Sequence, residues 1–244
     1  MHKKVVIDAH NAGVYPFEGR VAWANRWAGF LFRNAFLTIV TNDSLKQYVN
    51  SRGGCASILP DPFPEIEVGE IAKLKGRLNF LLICTWAEDE PYEEVIQAFS
   101  KLPDDMVLYV TGNDKGKAAG LPFEIPPNVI LTGFISNQEF DQLLVSSDCI
   151  IDLTKREDCL VCGAYESISV GKPLILSDTK VLRAYFEDAA QYTENDTDSI
   201  VQSVLGMSSD LPDANDRVIA YRDRQQDNWD SLKQNLMNEL GMTG

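Results

Sequence analysis

Apolar residues in this chain fall into short β-branched runs separated by stripes with helical spacing, the alternation that builds α/β folds. Residues 3–8 alternate as a strand, 19–34 carry apolar positions at helical spacing, 37–40 form a strand, 43–50 a helix and 55–59 a third strand. Pro60-Asp61-Pro62-Phe63-Pro64 then breaks regular structure, because proline lacks an N–H donor and restricts the residue before it. This step marks a linker. The pattern resumes with a strand at 80–84, a helix at 93–102, a strand at 106–111 closed by Gly112, a strand at 129–133, a helix at 138–146 and a strand at 148–152. A short glycine-containing helix, a Gly171-Lys172-Pro173 break and a strand at 174–176 follow. Beyond Phe186 the pattern loosens: residues 197–205 predict a helix capped by Asp196 or Asp198, Asp210-Leu211-Pro212-Asp213 a turn, and 214–240 a charged helical region. The fold class expected is α/β, a Rossmann-like parallel sheet with flanking helices. No internal repeat interrupts it.

The chain's 244 residues suffice for one large or two small domains, and a hydrophobic fraction of 45% is ordinary for a globular protein. No apolar run approaches a membrane span and no secretory leader is read at the start. A net charge of −14 argues against nucleic acid as a partner, since a phosphate backbone repels such a surface. Cys84 and Cys149 lie within apolar strands and read as buried free thiols of a reducing, cytoplasmic compartment. Cys159 and Cys162 form a C-x-x-C, but no second pair exists to complete a zinc site, so they read as small residues lining a turn.

The chemistry concentrates in 154–178. A strand gives way to Lys155-Arg156-Glu157-Asp158, and Glu166 follows inside the next helix. Acids at the carboxyl end of a parallel strand and the start of the next helix sit where open α/β sheets bind ligands. Asp158 and Glu166 are eight residues apart, which on a helix is about 80°, near one face.

This stretch resembles the acid-x7-acid motif of retaining nucleotide-sugar glycosyltransferases of the GT-B fold, family 4 type. Asp158 matches the first acid, with Glu157 as the alternative register, Glu166 the second, and Gly171-Lys172-Pro173-Leu174-Ile175 the closing step. The resemblance covers residues 78–186 well and the flanks more weakly. It implies a donor-binding Rossmann-like domain at 76–210, a partial amino-terminal, acceptor-side domain at 1–65, and a carboxyl-terminal helical segment at 211–244 that either packs back on the amino-terminal part or packs only on its own domain. The first 65 residues resemble the last part of such a domain and leave a sheet with an uncovered edge. Glu166 would hold the ribose hydroxyls, both accepted by one carboxylate. Asp158 would face the donor sugar, and the backbone N–H groups of Leu160, Val161, Cys162 and Gly163 would meet phosphate oxygens. Gly133, at the end of its strand, joins these donor-binding positions. The family places an Arg and a Lys after the domain's first strand, where this chain has Glu88, Asp89 and Glu90. Lys155 and Arg156 are the substitutes expected for diphosphate, with Lys115 and Lys117 behind them.

His10, at the end of the first strand, resembles the family's histidine loop and is the second catalytic candidate with Asp158. The resemblance calls for no cofactor or metal. Residues 20–36 carry three arginines, no acid, and Trp23, Trp27, Phe30 and Leu31 on one helical face, suited to peripheral contact with an anionic membrane. The function expected is transfer of a sugar, with retention, from a nucleotide-diphosphate donor to a glycan or lipid-linked acceptor. The alternatives are a nucleotide-sugar-binding subunit or inactive half of a split transferase, completed by a partner chain, and a nucleotide-sugar epimerase.

Overall fold

The computed structural model describes residues 4–67 and 69–241, so position 3 of the first expected strand lies outside the described residues. The chain is mixed α/β, with parallel sheets flanked by helices. It divides into two compact units. One takes in the chain up to Pro62, residues 158–160 and the chain from Arg224; the other takes in 63–157 and 161–223.

The first unit holds β1 (Val6–Asp8), α1 (Asn11–Val14), α2 (Ala22–Asn34), β2 (Leu37–Val40), α3 (Asp43–Ser51) and β3 (Ala56–Ile58). Its strands pair in parallel in the order β1-β2-β3. Ala28 and Phe32 of α2 pack with Val14, Val40, Leu45, Val49 and Ala56 to form the core. The Asn42 side chain caps α3 by accepting from Leu45 N–H at 3.0 Å. Helix α2 starts at Ala22 rather than 19, because Phe17, Glu18 and Gly19 have φ of 52°, 56° and 72°, a left-handed run that no α-helix accommodates.

The second unit contains β4 (Leu78–Leu82), α4 (Tyr92–Phe99), β5 (Met106–Thr111), β6 (Val129–Gly133), α5 (Asn137–Ser146), β7 (Cys149–Asp152), α6 (Cys162–Ser169), β8 (Leu174–Ser177), α7 (Lys180–Phe186) and β9 (Ala190–Thr193). Its six strands are all parallel, in the order β6-β5-β4-β7-β8-β9. Parallel strands are buried on both faces and therefore read as continuous apolar runs, as β4, β5 and β7 do. Phe80 and Leu82 join α4 and the carboxyl-terminal helix in one core cluster. By strand alternation Leu81 and Ile83 point to the other face. Cys84 and Cys149 are buried free thiols.

The carboxyl-terminal helix α8 runs unbroken over Thr197–Leu240, so the turn expected at 210–213 does not form. Proline removes the hydrogen bond to the carbonyl four residues earlier. Burial of Val204, Met207, Ala214, Val218 and Tyr221 on both sides of Pro212 outweighs that loss, and Arg217 pairs with Asp210 at 2.5 Å across it. From Arg224 the helix belongs to the first unit, where Trp229 Nε1 donates to the Pro60 carbonyl at 2.8 Å and Ser57 Oγ to Glu239 Oε2 at 3.1 Å.

Gly112 closes β5 at φ 87°, and a Cβ there would lie 2.1 Å from the Cys84 carbonyl oxygen. Gly112→Ala is expected to cost about 1–3 kcal/mol from backbone strain alone, before the overlap is counted. Its thermal midpoint should fall by roughly 5 °C or more. An unchanged midpoint in a melting scan would show that the ends of β4 and β5 do not approach this closely.

Candidate functional site

Strand order in the six-stranded sheet reverses between β4 and β7, the two central strands. The chain leaves β4 toward α4 and β5 on one side, and leaves β7 toward α6 and β8 on the other. The loops at their carboxyl ends therefore diverge and open a crevice, the position where open α/β sheets take ligands.

Glu90 holds the loop after β4. Its carboxylate accepts from Thr85 N–H at 3.0 Å, Thr85 Oγ1 at 2.7 Å, Ala87 N–H at 2.9 Å and Cys84 Sγ at 3.3 Å. Trp86, in the left-handed region at φ 61°, is buried, donates from Nε1 to the Thr111 carbonyl at 3.0 Å and packs on Tyr92 with ring centroids 4.8 Å apart. The loop is thus a fixed wall.

The loop after β7 is tied to that wall. Lys155 N–H donates to the Asp89 carbonyl at 2.7 Å, Arg156 Nε lies 2.9 Å from Asp89 Oδ2, and Lys155 Nζ lies 3.6 Å from Glu94 Oε1. The two bases that the sequence offers for a diphosphate are therefore held by acids of the same unit. Lys117 Nζ is likewise engaged, donating to the Trp86 carbonyl. Lys115, at φ 51°, is exposed. Glu157 is exposed, and Gly133 takes φ 66° with open space where a Cβ would stand.

Helix α6 begins at Cys162, with Val161 as its N-cap. Asp158 thus lies in the turn before the helix, and the expectation that it shares a helical face with Glu166 is corrected. The N–H groups of Gly163 and Ala164 lie near the buried Asp152 carboxyl at the end of β7. A Cβ on Gly163 would meet Asp152 Oδ2 at 2.6 Å and Ile83 Cδ1 at 2.7 Å, so this position requires glycine. Leu160 and Val161 directly precede α6, and Cys162 and Gly163 are its first two residues. Burial pushes the Asp152 carboxyl well above the ordinary aspartate range; the Gly163 N–H opposes the rise and the Glu90 charge adds to it.

Glu166 stands in the second turn of α6, half-buried. Burial raises its carboxyl above the ordinary glutamate value, with the charge of Asp141 on α5 adding to the rise. No side chain or backbone N–H among the described residues hydrogen-bonds this carboxylate. A carboxylate without a protein donor among the described residues keeps its capacity to accept two hydrogen bonds.

In the first unit the Asp158 carboxylate accepts from Ser44 Oγ at 2.5 Å, and its carbonyl from Asn42 Nδ2 at 3.2 Å. Burial raises the Tyr15 phenol, and the nearby Asp158 charge raises it further. His10 sits at the N-cap of α1 between two carboxylates, with Nε2 3.8 Å from Asp8 Oδ1 and Nδ1 3.6 Å from Asp61 Oδ2. Sequence reasoning overlooked Asp152 and Glu90. The first reads as the end of a strand and the second as one acid of three. Among the described residues no group of three His, Cys, Asp or Glu side chains is arranged to hold a metal ion, and no helix is long and apolar enough to cross a membrane.

No family model matches this sequence, and no curated protein matches it significantly. Solved structures do resemble it. HepE of Anabaena in complex with UDP-glucose superposes with a TM-score of 0.79 at 12% identity, over 99% of this chain and 73% of that one. Sucrose-phosphate synthase of Thermosynechococcus elongatus gives 0.77 at 15% identity, over 100% and 69%. TarM gives 0.71 at 12% identity, over 91% and 47%. At such identities the likeness establishes the fold, and the fold is that of GT-B glycosyltransferases.

Proposed function

We propose that this chain binds a nucleotide-diphosphate sugar at the crevice between the loops after β4 and β7, and transfers the hexosyl group with retention, in the manner of family 4 transferases. The observation that carries the reading is Glu166, a half-buried carboxylate beside the reversal of strand order that has no hydrogen-bond donor among the described residues. A ribose presents two adjacent hydroxyls, and both hydrogen bonds can end on one carboxylate. The N–H groups of Leu160, Val161 and Cys162 then serve the diphosphate, with Arg156 and Lys155 beside them. As the bond from the anomeric carbon to the diphosphate breaks, negative charge grows on the leaving oxygen, and these donors stabilise it. In this reading Asp158 and His10, both of the first unit, are the catalytic groups. Solution of HepE with UDP-glucose supports a uridine nucleotide as the first donor to test. The acceptor in this reading is a glycan or lipid-linked sugar, and the site of action is cytoplasmic, at the membrane periphery.

A second reading follows from the ion pairs. Because Asp89 and Glu94 already neutralise Arg156 and Lys155, the unit offers less free positive charge to a diphosphate than an active transferase needs. In that reading the chain holds nucleotide-sugar as one subunit and a partner chain supplies the rest. The solved GtfA/B complex, of related fold, supports assembly of this kind.

Thermal denaturation with UDP-glucose, UDP, GDP and ADP tests donor binding. A nucleotide at 100 times its Kd stabilises by about 2.7 kcal/mol, which raises the midpoint by roughly 5–10 °C. Glu166→Ala should abolish the shift without lowering the midpoint of the free chain. No shift with any nucleotide would overturn both readings, and binding without turnover of labelled donor would select the second.

The pH dependence of binding carries its own sign. Glu166 accepts both hydroxyls only when ionised, so affinity should weaken as pH falls through its raised pKa, above the ordinary value of 4.5. Stability runs the other way. The raised pKa contributes stability that is fully present below the ordinary value and lost as pH rises through the folded one. Titration calorimetry across this range should show the loss of affinity in the native chain and a flat profile in Glu166→Gln. A native profile as flat as that of the variant would remove Glu166 from the site.

A further inference from the structure

We propose that the outer face of α2, together with Arg52 just beyond α3, docks on an anionic lipid bilayer, with lipid phosphates in an arginine-lined concavity and the neighbouring aromatic side chains at the acyl boundary. This deepens the peripheral-membrane element of the reading above and is tested without nucleotide, so it fails or stands separately from donor binding.

Helix α2 buries Ala24, Ala28 and Phe32 in the core of the first unit. Its opposite arc leaves Trp23, Trp27, Phe30 and Leu31 exposed by 64%, 60%, 50% and 49%. These side chains cover one another rather than a core: Trp27 meets Phe30 edge-on at 5.7 Å and Trp23 lies 6.2 Å from Phe17. Scattered exposed apolar residues need no explanation, but a contiguous aromatic patch marks an interaction surface. Beside the patch, Arg26, Arg33 and Arg52 with Asn25, Trp27 and Phe30 line an open concavity of about 580 Å³.

The charge there is uncompensated. Among the described residues no carboxylate lies within ion-pairing distance of Arg26, Arg33 or Arg52. Arg33 Nη1 donates to the Arg52 carbonyl at 3.2 Å, and the Arg52 guanidinium is held against Tyr48, with Nη2 3.0 Å from the phenol oxygen. Three like charges around one concavity repel unless an anion enters it. A chain of net charge −14 is repelled from anionic membranes over most of its surface, so only a face of this kind can approach one. Guanidinium groups grip phosphate in a bidentate manner, and indole rings favour the headgroup level of a bilayer. Arginines and aromatics on one solvent-facing arc of a helix thus match an anionic lipid surface in both charge and polarity.

Sedimentation of the intact chain with vesicles of phosphatidylcholine alone, and of phosphatidylcholine mixed with phosphatidylglycerol, tests the proposal. Binding to the mixed vesicles only is expected, weakened by salt and accompanied by a blue shift of tryptophan emission. Arg26→Ala and Arg33→Ala should each lower the partition coefficient about fivefold, and Trp27→Ser should reduce the blue shift, leaving the share that Trp23 reports. All three positions are exposed, and an unchanged circular dichroism spectrum confirms that the variants fold. Failure to bind mixed vesicles, or binding untouched by these substitutions, would overturn the proposal. So would competition by inorganic phosphate at concentrations too low to screen charge, which would make this a site for a soluble anion. Self-association of the vesicle-free chain, lost in Trp27→Ser, would overturn it in favour of a second copy as the occupant.

Discussion

Adjacency of β4 and β7 is the constraint on which the second unit depends. Both are parallel central strands, so both faces must be covered by helices, and each crossover must land on the side its strand order dictates. With β5 on one flank of β4 and β8 on the far flank of β7, the two loops have to separate at their carboxyl ends. Two close approaches preserve that geometry. Gly112 lets β5 end against the Cys84 carbonyl, and Gly163 lets α6 settle over Ile83 and the Asp152 carboxyl. A side chain at either glycine would push apart the elements that frame the crevice.

Electrostatics then divides the acids of the unit into two kinds. Asp152 and Glu90 belong to the frame: Asp152 is buried at the end of β7, and Glu90 accepts the Thr85 and Ala87 N–H groups, which would otherwise lack partners. Asp89 and Glu94 fix the loop after β7 by pairing with Arg156 and Lys155. Glu166 belongs to neither kind. It is partly desolvated, yet no group among the described residues donates to it, and a half-buried carboxylate in that condition costs the fold unless something compensates. The unit tolerates that cost in the helix that follows β7, next to the reversal of strand order. Local conflicts of this sort are expected at functional sites and seldom elsewhere.

Much of this architecture was legible in the sequence because parallel strands buried on both faces leave continuous apolar runs. The bounds of β2, β5 and β6 follow the runs at Leu37–Val40, Met106–Thr111 and Val129–Gly133. Strand β9 leaves no such run, since Ala190-Gln191-Tyr192-Thr193 lies at the edge and only Thr193 is buried. Pro212 misled in the opposite direction: local chemistry signals a stop, whereas the burial of Ala214, Val218 and Tyr221 carries the helix onward. Spacing within a motif singled out Glu166, and it placed Asp158 on a helix that the structure does not form there. Spacing alone assumes a helix through residues 158–166, and the helix starts only at Cys162. The pairing of Arg156 with Asp89 was also beyond reach, because it joins residues 67 apart in sequence that meet only once β4 and β7 are neighbours.

The arginines complete the argument, since one residue type meets two fates in one chain. Arg77, Arg156, Arg183 and Arg217 each pair with an aspartate in the second unit. Arg26, Arg33 and Arg52 have no such partner among the described residues, although the chain carries 36 acids against 22 bases. Scarcity of carboxylates therefore cannot explain the difference. It arises from placement: helix α2 has no acid at any position, so no neighbour three or four residues away can neutralise its bases. Phe32 and the two alanines fix which arc of the helix faces the core, and the same rotation turns the aromatics outward. Folding of the first unit thus presents an uncompensated cationic and aromatic surface on a chain that is acidic as a whole. Exposure of this kind gains nothing for folding, so its physical sense lies in what it meets outside the chain.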